Sequence, residues 1–374
     1  MSKEKARIKR GDGISDGLVP LKPIDLEKTS TINDLVSSML YASFNARALG
    51  EAAEVLEAMI RDEECYVVLT LAGAMTPAKM GLVACDMIDR GMVNCIVTTG
   101  ALLTHGFVES VGKTHFKYEP GRISDWELYL SGYDRIYDTI ELEKNLDETE
   151  EIVNNILSSL TKDQNILSSW KFTRLLGEYL HKNVEGRGIL KSAYEHNIPV
   201  FIPALTDSEL GLDIAIFNLA RRKTQKPEVL FDLFADLEYY SNIIKNQKTL
   251  GIFTIGGGVP RNWAQQIGPF LDIINLRLGK RFSVNEDESR FFKRFKYGVR
   301  ISTALVQDGG LSGCTYSEGV SWGKFMPKEE GGRTAEVFCD ATIAWPIIVK
   351  AVMERLEKNP PPKKNLPTAP ERFF

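Results

Sequence analysis

The stretch Cys65-Tyr66-Val67-Val68-Leu69-Thr70-Leu71 carries no charge and stops at the small residues Ala72-Gly73-Ala74. A strand that is apolar at successive positions must be covered on both faces, and a mostly parallel sheet with helices on either side provides that cover. The same design recurs. Asn94-Cys95-Ile96-Val97-Thr98 ends in Thr99-Gly100-Ala101, and Leu250-Gly251-Ile252-Phe253-Thr254-Ile255 ends in Gly256-Gly257-Gly258-Val259-Pro260. Further strands are predicted at 198–203, 228–231, 299–304 and 336–339. Apolar residues at helical spacing separate them, at 46–61, 77–89, 148–160, 170–182, 188–197, from Glu209 onward, at 233–244 and at 345–356. The alternation predicts an α/β fold: a Rossmann-like, mostly parallel sheet with helices on both faces, plus a helical N-terminal arm.

One domain is expected over residues 31–358, opened by Thr31-Ile32-Asn33-Asp34 as a helix start. Residues 1–30, with Gly11, Gly13, Gly17, Pro20 and Pro23, form an arm, and 359–374 a polar, proline-rich tail without core content. The segment 118–146 is predicted to be irregular, Asp147-Glu148-Thr149-Glu150-Glu151 a solvated helix start, and 285–296 an exposed charged run.

Charge and cysteine usage exclude several function classes. With 46 basic and 50 acidic side chains intermixed, the net charge is −4, so no nucleic-acid surface is announced. No apolar run approaches the roughly 18 residues of a membrane span. Met1-Ser2-Lys3-Glu4-Lys5 is charged, unlike a secretory signal. Five cysteines, Cys65, Cys85, Cys95, Cys314 and Cys339, are odd in number and widely spaced, which predicts reduced, mostly buried thiols and a cytoplasmic location. His105, His115, His181 and His196 show no metal-ligand spacing, so no metal is expected. His181 and His196 fall at predicted helix ends, where the dipole favours them.

The candidate chemistry centres on Ser321-Trp322-Gly323-Lys324, which follows Asp308-Gly309-Gly310-Leu311-Ser312-Gly313 and Glu318. Most lysines are solvated surface charges. One beside a tryptophan and a glycine suits a partly apolar wall, where desolvation frees the amine to attack an imine or carbonyl carbon. Three glycines closing a strand, with Pro260 opening a helix, allow backbone to approach a phosphate or flat ring. Gly73 and Gly100 serve equally as tight turns or as ligand contacts, because ligands of open α/β sheets bind at strand ends. Asp207 is placed to accept from ribose hydroxyls or to cap the helix opening near Glu209, and the two roles are compatible.

Gly313, Glu318, Val320, Ser321 to Lys324 and Val337-Phe338-Cys339-Asp340-Ala341 resemble the C-terminal active-site region of deoxyhypusine synthase. Thr98-Thr99-Gly100, Pro203-Ala204-Leu205-Thr206-Asp207 and Gly256 to Gly258 extend the resemblance over about residues 30–358. It implies that Lys324 is the nucleophile that carries an aminobutyl group as an imine. It implies NAD bound by Thr99, Gly100, Ala101, Asp207, Gly257, Gly258, Thr303, Ala304, Asp308, Asp340 and Ala341, with help from the turn Gly73, Ala74, Met75, Thr76 and Pro77. Gly309, Glu318 and Trp322 would shape the amine pocket, with His105 and Asn262 beside it.

The implied reaction moves an aminobutyl group from spermidine to an acceptor amine, either a lysine of a translation factor or a free diamine such as putrescine, as in homospermidine synthesis. A non-catalytic NAD- or polyamine-binding relative is the reading from another class. The resemblance also implies a homotetramer whose N-terminal segment covers a neighbour's site. Four positions depart from the eukaryotic pattern: Leu212 and Leu311 stand for aspartates, Asn262 for a histidine and His105 for a glutamate, where it serves either to position the amine or as a satisfied structural histidine. Loss of two carboxylates would weaken amine binding by roughly 1.5–3 kcal/mol each, unless Asp213 or Glu209 compensates.

Overall fold

The computed structural model describes residues 11–161, 164–282 and 293–367, without the side chains of 278–282. Much of the predicted charged run at 285–296 lies outside the described residues. Cys65–Leu71 (β1) is buried at every position. Its side chains divide by parity: Cys65, Val67, Leu69 and Leu71 enter one apolar cluster, Tyr66 and Val68 another. That two-residue period places β1 between two helical layers. Phe44–Arg61, Gly81–Asp89 and Ala341–Lys358 contribute to the first cluster, Leu233–Lys245 and Gly258–Gln265 to the second.

The sheet continues with Cys95–Thr98 (β2), Val200–Phe201 (β3), Thr249–Ile255 (β4), Tyr297–Ile301 (β5) and Arg333–Val337 (β6). The order is β3-β2-β1-β4-β5-β6, with every pair parallel. β1 pairs with β4 from Cys65↔Thr249 to Leu71↔Ile255. The chain therefore winds outward from β1 to β3, then returns to the centre and winds the other way. Such a reversal leaves a crevice outside the carboxyl ends of the two central strands, where ligands of open α/β sheets bind.

Ile32–Met39 is capped as its sequence suggested, with Thr31 Oγ1 accepting from Asp34 N and the Asp34 carboxylate accepting from Thr31 N. It is pinned to the body. Asn33 N donates to Glu354 Oε2 at 2.8 Å, and Arg355 reaches Asn33, Glu54 and Glu57.

Three local expectations change. Residues 77–80 form a turn, with Lys79 at φ +64°, and the helix begins at Gly81. The segment 118–146 is regular: it holds the helix Asp125–Leu130 and the strands Tyr133–Ile136 and Thr139–Leu142, which form an antiparallel sheet with Phe116–Lys117 just before it. Its strands escape recognition because Glu141, a charged residue, points inward and is fully buried. The tail is anchored as far as it is described. Lys364 Nζ donates to the carbonyls of Met59, Asp62 and Cys65, at the end of a helix and the start of β1, and Leu366 packs on the second cluster. All five cysteines are free, three buried and two half-buried. Among the described residues no helix is long and apolar enough to cross a membrane.

Candidate active site

At the carboxyl ends of β1 and β4 lies a cleft of about 230 Å³ lined by Ala72, Thr98, Thr99, Ala204, Asp207, Gly257, Gly258, Val259, Pro260 and Ser312. Gly257 stands at the N-terminus of Gly258–Gln265, and no side chain caps that helix. Its first backbone N–H groups are thus available to an anion. No side chain fits at Gly257, where a Cβ would meet Ser312 Cα at 2.9 Å. Thr98 is fully buried, yet among the described residues its hydroxyl finds no hydrogen-bond partner. Capping of Glu209–Lys223 falls to Ser208, whose hydroxyl accepts from Gly211 N. The exposed Asp207 carboxylate therefore does not serve as that cap. An uncapped helix start on glycine backbone, an orphan hydroxyl and an uncommitted carboxylate form a donor and acceptor set that fits a phosphate-bearing dinucleotide such as NAD.

Lys324 is placed from the other side. The helix Tyr316–Ser321 starts at Thr315, whose hydroxyl accepts from Glu318 N, and ends at Trp322. Gly323 then adopts φ +68°, in the left-handed region that favours glycine. The chain turns back so that Lys324 N donates to Gly319 O at 3.0 Å, and Lys324 O accepts from Phe295 N at 2.9 Å. Phe325, the next residue, is buried. With its backbone so fixed, Lys324 directs Nζ to Asn262 Oδ1 at 3.0 Å. Asn262 lies four residues after Gly258, about 6 Å along the same helix, so amine and cleft share one scaffold. The Trp322 ring centroid is 5.8 Å from Nζ. Burial pushes the Lys324 ammonium below its ordinary pKa; the Arg261 guanidinium acts the same way, while Cys314 and Glu318 oppose it. The shift enlarges the neutral, nucleophilic fraction.

Two buried guanidiniums hold this wall. Arg261 donates to Cys314 O at 2.6 Å and to Ser312 O at 3.2 Å, and Arg300 donates to the same two carbonyls. Arg300 also pairs with Glu336, whose other oxygen accepts from Tyr316 N at 2.8 Å. The end of the glycine-rich loop and the start of the helix that leads to Lys324 are thereby fixed together.

An acidic cluster stands on the segments after β2 and β3, outside the cleft lining. Asp213 is pushed up to about 7 by burial and by Glu150, Glu209 and Asp147. Asp134 is raised by burial and by Glu143, Glu209 and Glu141. One Glu209 oxygen is buried with no hydrogen-bond partner among the described residues. Carboxylates that raise one another in this way gain from a cation.

The expected site residues divide accordingly. Thr99, Asp207, Gly257 and Gly258 line the cleft, and Gly100 and Ala101 open the helix capped by Thr99. Thr76 and Pro77 turn inward instead: Thr76 is buried and donates to Leu102 O at 2.7 Å, and Met75 packs on the core, leaving Gly73 and Ala74 exposed. Thr303, Ala304, Asp308, Asp340 and Ala341 lie after β5 and β6, outside the cleft lining. Asp340 caps Ala341–Lys358 through Thr342 N. Asn262 meets Lys324, whereas Glu318 and Trp322 are exposed and Gly309 has open space around it. His105 approaches Glu141, not the amine. His181 and His196 do sit at helix ends, paired with Glu195 and Asp89. Sequence reasoning missed Ser312, Arg261 and Arg300. The available signal was an arginine inside an otherwise apolar strand, which burial obliges to find partners.

Comparison with known proteins agrees with this architecture. The family model for deoxyhypusine synthase matches residues 34–352. A relative named "Probable deoxyhypusine synthase 2" from Methanosarcina acetivorans is 33% identical over 337 residues, covering 90% of each chain. "Deoxyhypusine synthase-like protein" from Chlorobaculum parvum is 34% identical over 363 residues, 95% of this chain and 93% of that one. A crystal structure of a candidate deoxyhypusine synthase from Entamoeba histolytica superimposes with a TM-score of 0.58 at 16% identity, covering 89% of this chain and 97% of that one, which speaks for the fold.

Proposed function

The chain belongs to the deoxyhypusine synthase family, and we propose from that premise that it is a transferase moving an aminobutyl group from spermidine to an acceptor amine through Lys324. The observation that carries this reading is the half-buried Lys324 amine, bonded to Asn262 one helical turn from the Gly257–Gly258 backbone. NAD, when bound, supplies a hydride acceptor that later returns the hydride, so the transfer involves no net oxidation. Thr98, Thr99, Asp207 and the amides after Gly257 would hold it. Lys324, lowered by burial, attacks the four-carbon fragment and releases 1,3-diaminopropane. Asn262 orients the amine by accepting its hydrogen bond. Trp322 offers a π-face to a cationic amine.

The acceptor in our first reading is a lysine of a translation factor. The acidic cluster at Asp134, Glu209 and Asp213 favours a second, a free diamine such as putrescine. Its distal ammonium needs a carboxylate, and Glu209 and Asp213 supply two near the exposed Leu212. Leu305, Val306, Leu311, Phe338 and Ile343 are exposed on the segments after β5 and β6, which supports assembly into the expected homotetramer.

Incubation with spermidine and NAD tests the reading. Wild type releases 1,3-diaminopropane and Lys324→Arg does not. Adding the factor protein or putrescine identifies the acceptor by which one gains the aminobutyl group. Release by Lys324→Arg at the wild-type rate would overturn the proposal, and a wild type that binds both ligands without release would mark a non-catalytic relative.

A further inference from the structure

His105, His115 and Glu141 are dispersed in sequence and come together from three places: the helix Gly100–Ser110, the segment after it and the strand Thr139–Leu142. The lysine chemistry uses none of them. Glu141 Oε2 is 2.6 Å from His115 Nε2 and 3.4 Å from His105 Nδ1, and the three donor atoms lie within 4.8 Å of one another. The side chains of His115 and Glu141 are fully buried, and that of His105 is 15% exposed.

The two inner groups are held from behind. His115 Nδ1 lies 3.2 Å from Glu109 Oε1. The second oxygen of Glu141 accepts from Asn145 Nδ2 at 2.8 Å and from Leu142 N at 2.9 Å. Lys79 Nζ also stands 3.1 Å from His115 Nδ1, paired with Glu109, and so leaves Nε2 to Glu141. An imidazole backed by a carboxylate, and a carboxylate backed by N–H donors, is the outer arrangement that orients metal ligands.

We infer that His105, His115 and Glu141 form a binding site for a divalent ion of the zinc class. Two imidazole nitrogens and one carboxylate oxygen complete a three-ligand set with a fourth position for water. Ligands of a tetrahedral Zn²⁺ stand about 3.3 Å apart. The His105–Glu141 pair already has that spacing, and the His115–Glu141 pair needs to open by less than about 1 Å. The ion takes the place of the proton between His115 and Glu141, which passes to solvent. The bound ion fastens the antiparallel sheet to the helix that leads away from the cleft.

The test uses the full chain, stripped with chelator and titrated with Zn²⁺ by calorimetry and with Co²⁺ by visible absorption. One ion per chain and the intense d–d bands of a four-coordinate Co²⁺ site are expected. His105→Ala leaves the buried His115–Glu141 pair in place and should weaken Zn²⁺ binding by at least about 100-fold, beyond the loss typical of an outer-sphere change. Glu109→Gln should weaken it by about 10- to 100-fold. A His181→Asn/His196→Asn double variant, which removes two exposed imidazoles, should bind as wild type does. No ion taken up by the wild type, or equal affinity in wild type and His105→Ala, overturns the inference and leaves these groups as an ion-pair network.

Discussion

On the β5–β6 side of the crevice, buried Arg261 and Arg300 grip the carbonyls of Ser312 and Cys314, and a half-buried lysine follows the helix they secure. On the segments after β2 and β3, outside the cleft lining, Asp134, Glu209 and Asp213 crowd one another, and Asp213 is pushed up to about 7. One region is stabilised by its own cations and lowers the pKa of an amine. The other holds anions that have found too few partners, and it gains from a ligand's charge. Under the proposed function the contrast is a division of labour, with bond making beside Lys324 and recognition of a polycation at the acidic cluster.

The largest effect expected from breaking this contrast is chemical. Lys324→Ala should lower the rate of 1,3-diaminopropane release by at least about 10³-fold, the scale on which loss of a covalent nucleophile falls. Its melting temperature should stay near that of wild type, because the side chain is only half-buried. Arg300→Ala should be mainly structural. It strands Glu336 and leaves the carbonyls of Ser312 and Cys314 to Arg261 alone, and chemical denaturation should report a loss of about 3 kcal/mol.

The acidic cluster should respond in KM. Glu209→Gln combined with Asp213→Asn should raise KM for spermidine by about tenfold or more with kcat little changed, since charge-assisted contacts contribute roughly 1.5–3 kcal/mol each. A fall in kcat at constant KM would instead place these acids in the chemistry.

The smallest effect concerns pH. Asp213 has a folded pKa of about 7, raised from 3.8. The folded chain therefore holds this proton more tightly than the unfolded chain, and the resulting stability is fully present below about pH 4 and lost as pH rises through 7. Asp213→Asn should flatten that part of the stability profile, by on the order of 1 kcal/mol between pH 5 and 8. An unchanged profile would mean that the acids are better solvated than their crowding implies.

The two regions also differ in how readily the sequence discloses them. Ser321 to Lys324 is contiguous, and Gly323 accounts for its geometry, so the lysine wall is legible from one short motif. The central strands are equally plain, because burial on both faces leaves uniform apolar runs such as 65–71. The acidic cluster draws on residues from 134 to 213 that meet only through the fold, and its hairpin hides behind the inward-facing Glu141. The arginine grip was missed for a related reason: a buried charge is satisfied by carbonyls 12 to 53 positions away, which no local pattern encodes.

The most direct test of the central claim is borohydride trapping. Protein incubated with spermidine and NAD is reduced, digested and mapped by mass spectrometry. The account predicts one reduced aminobutyl adduct on Lys324, absent when NAD is omitted and absent from Lys324→Arg. An adduct on another lysine, or the same yield of adduct from the Arg variant, would contradict it.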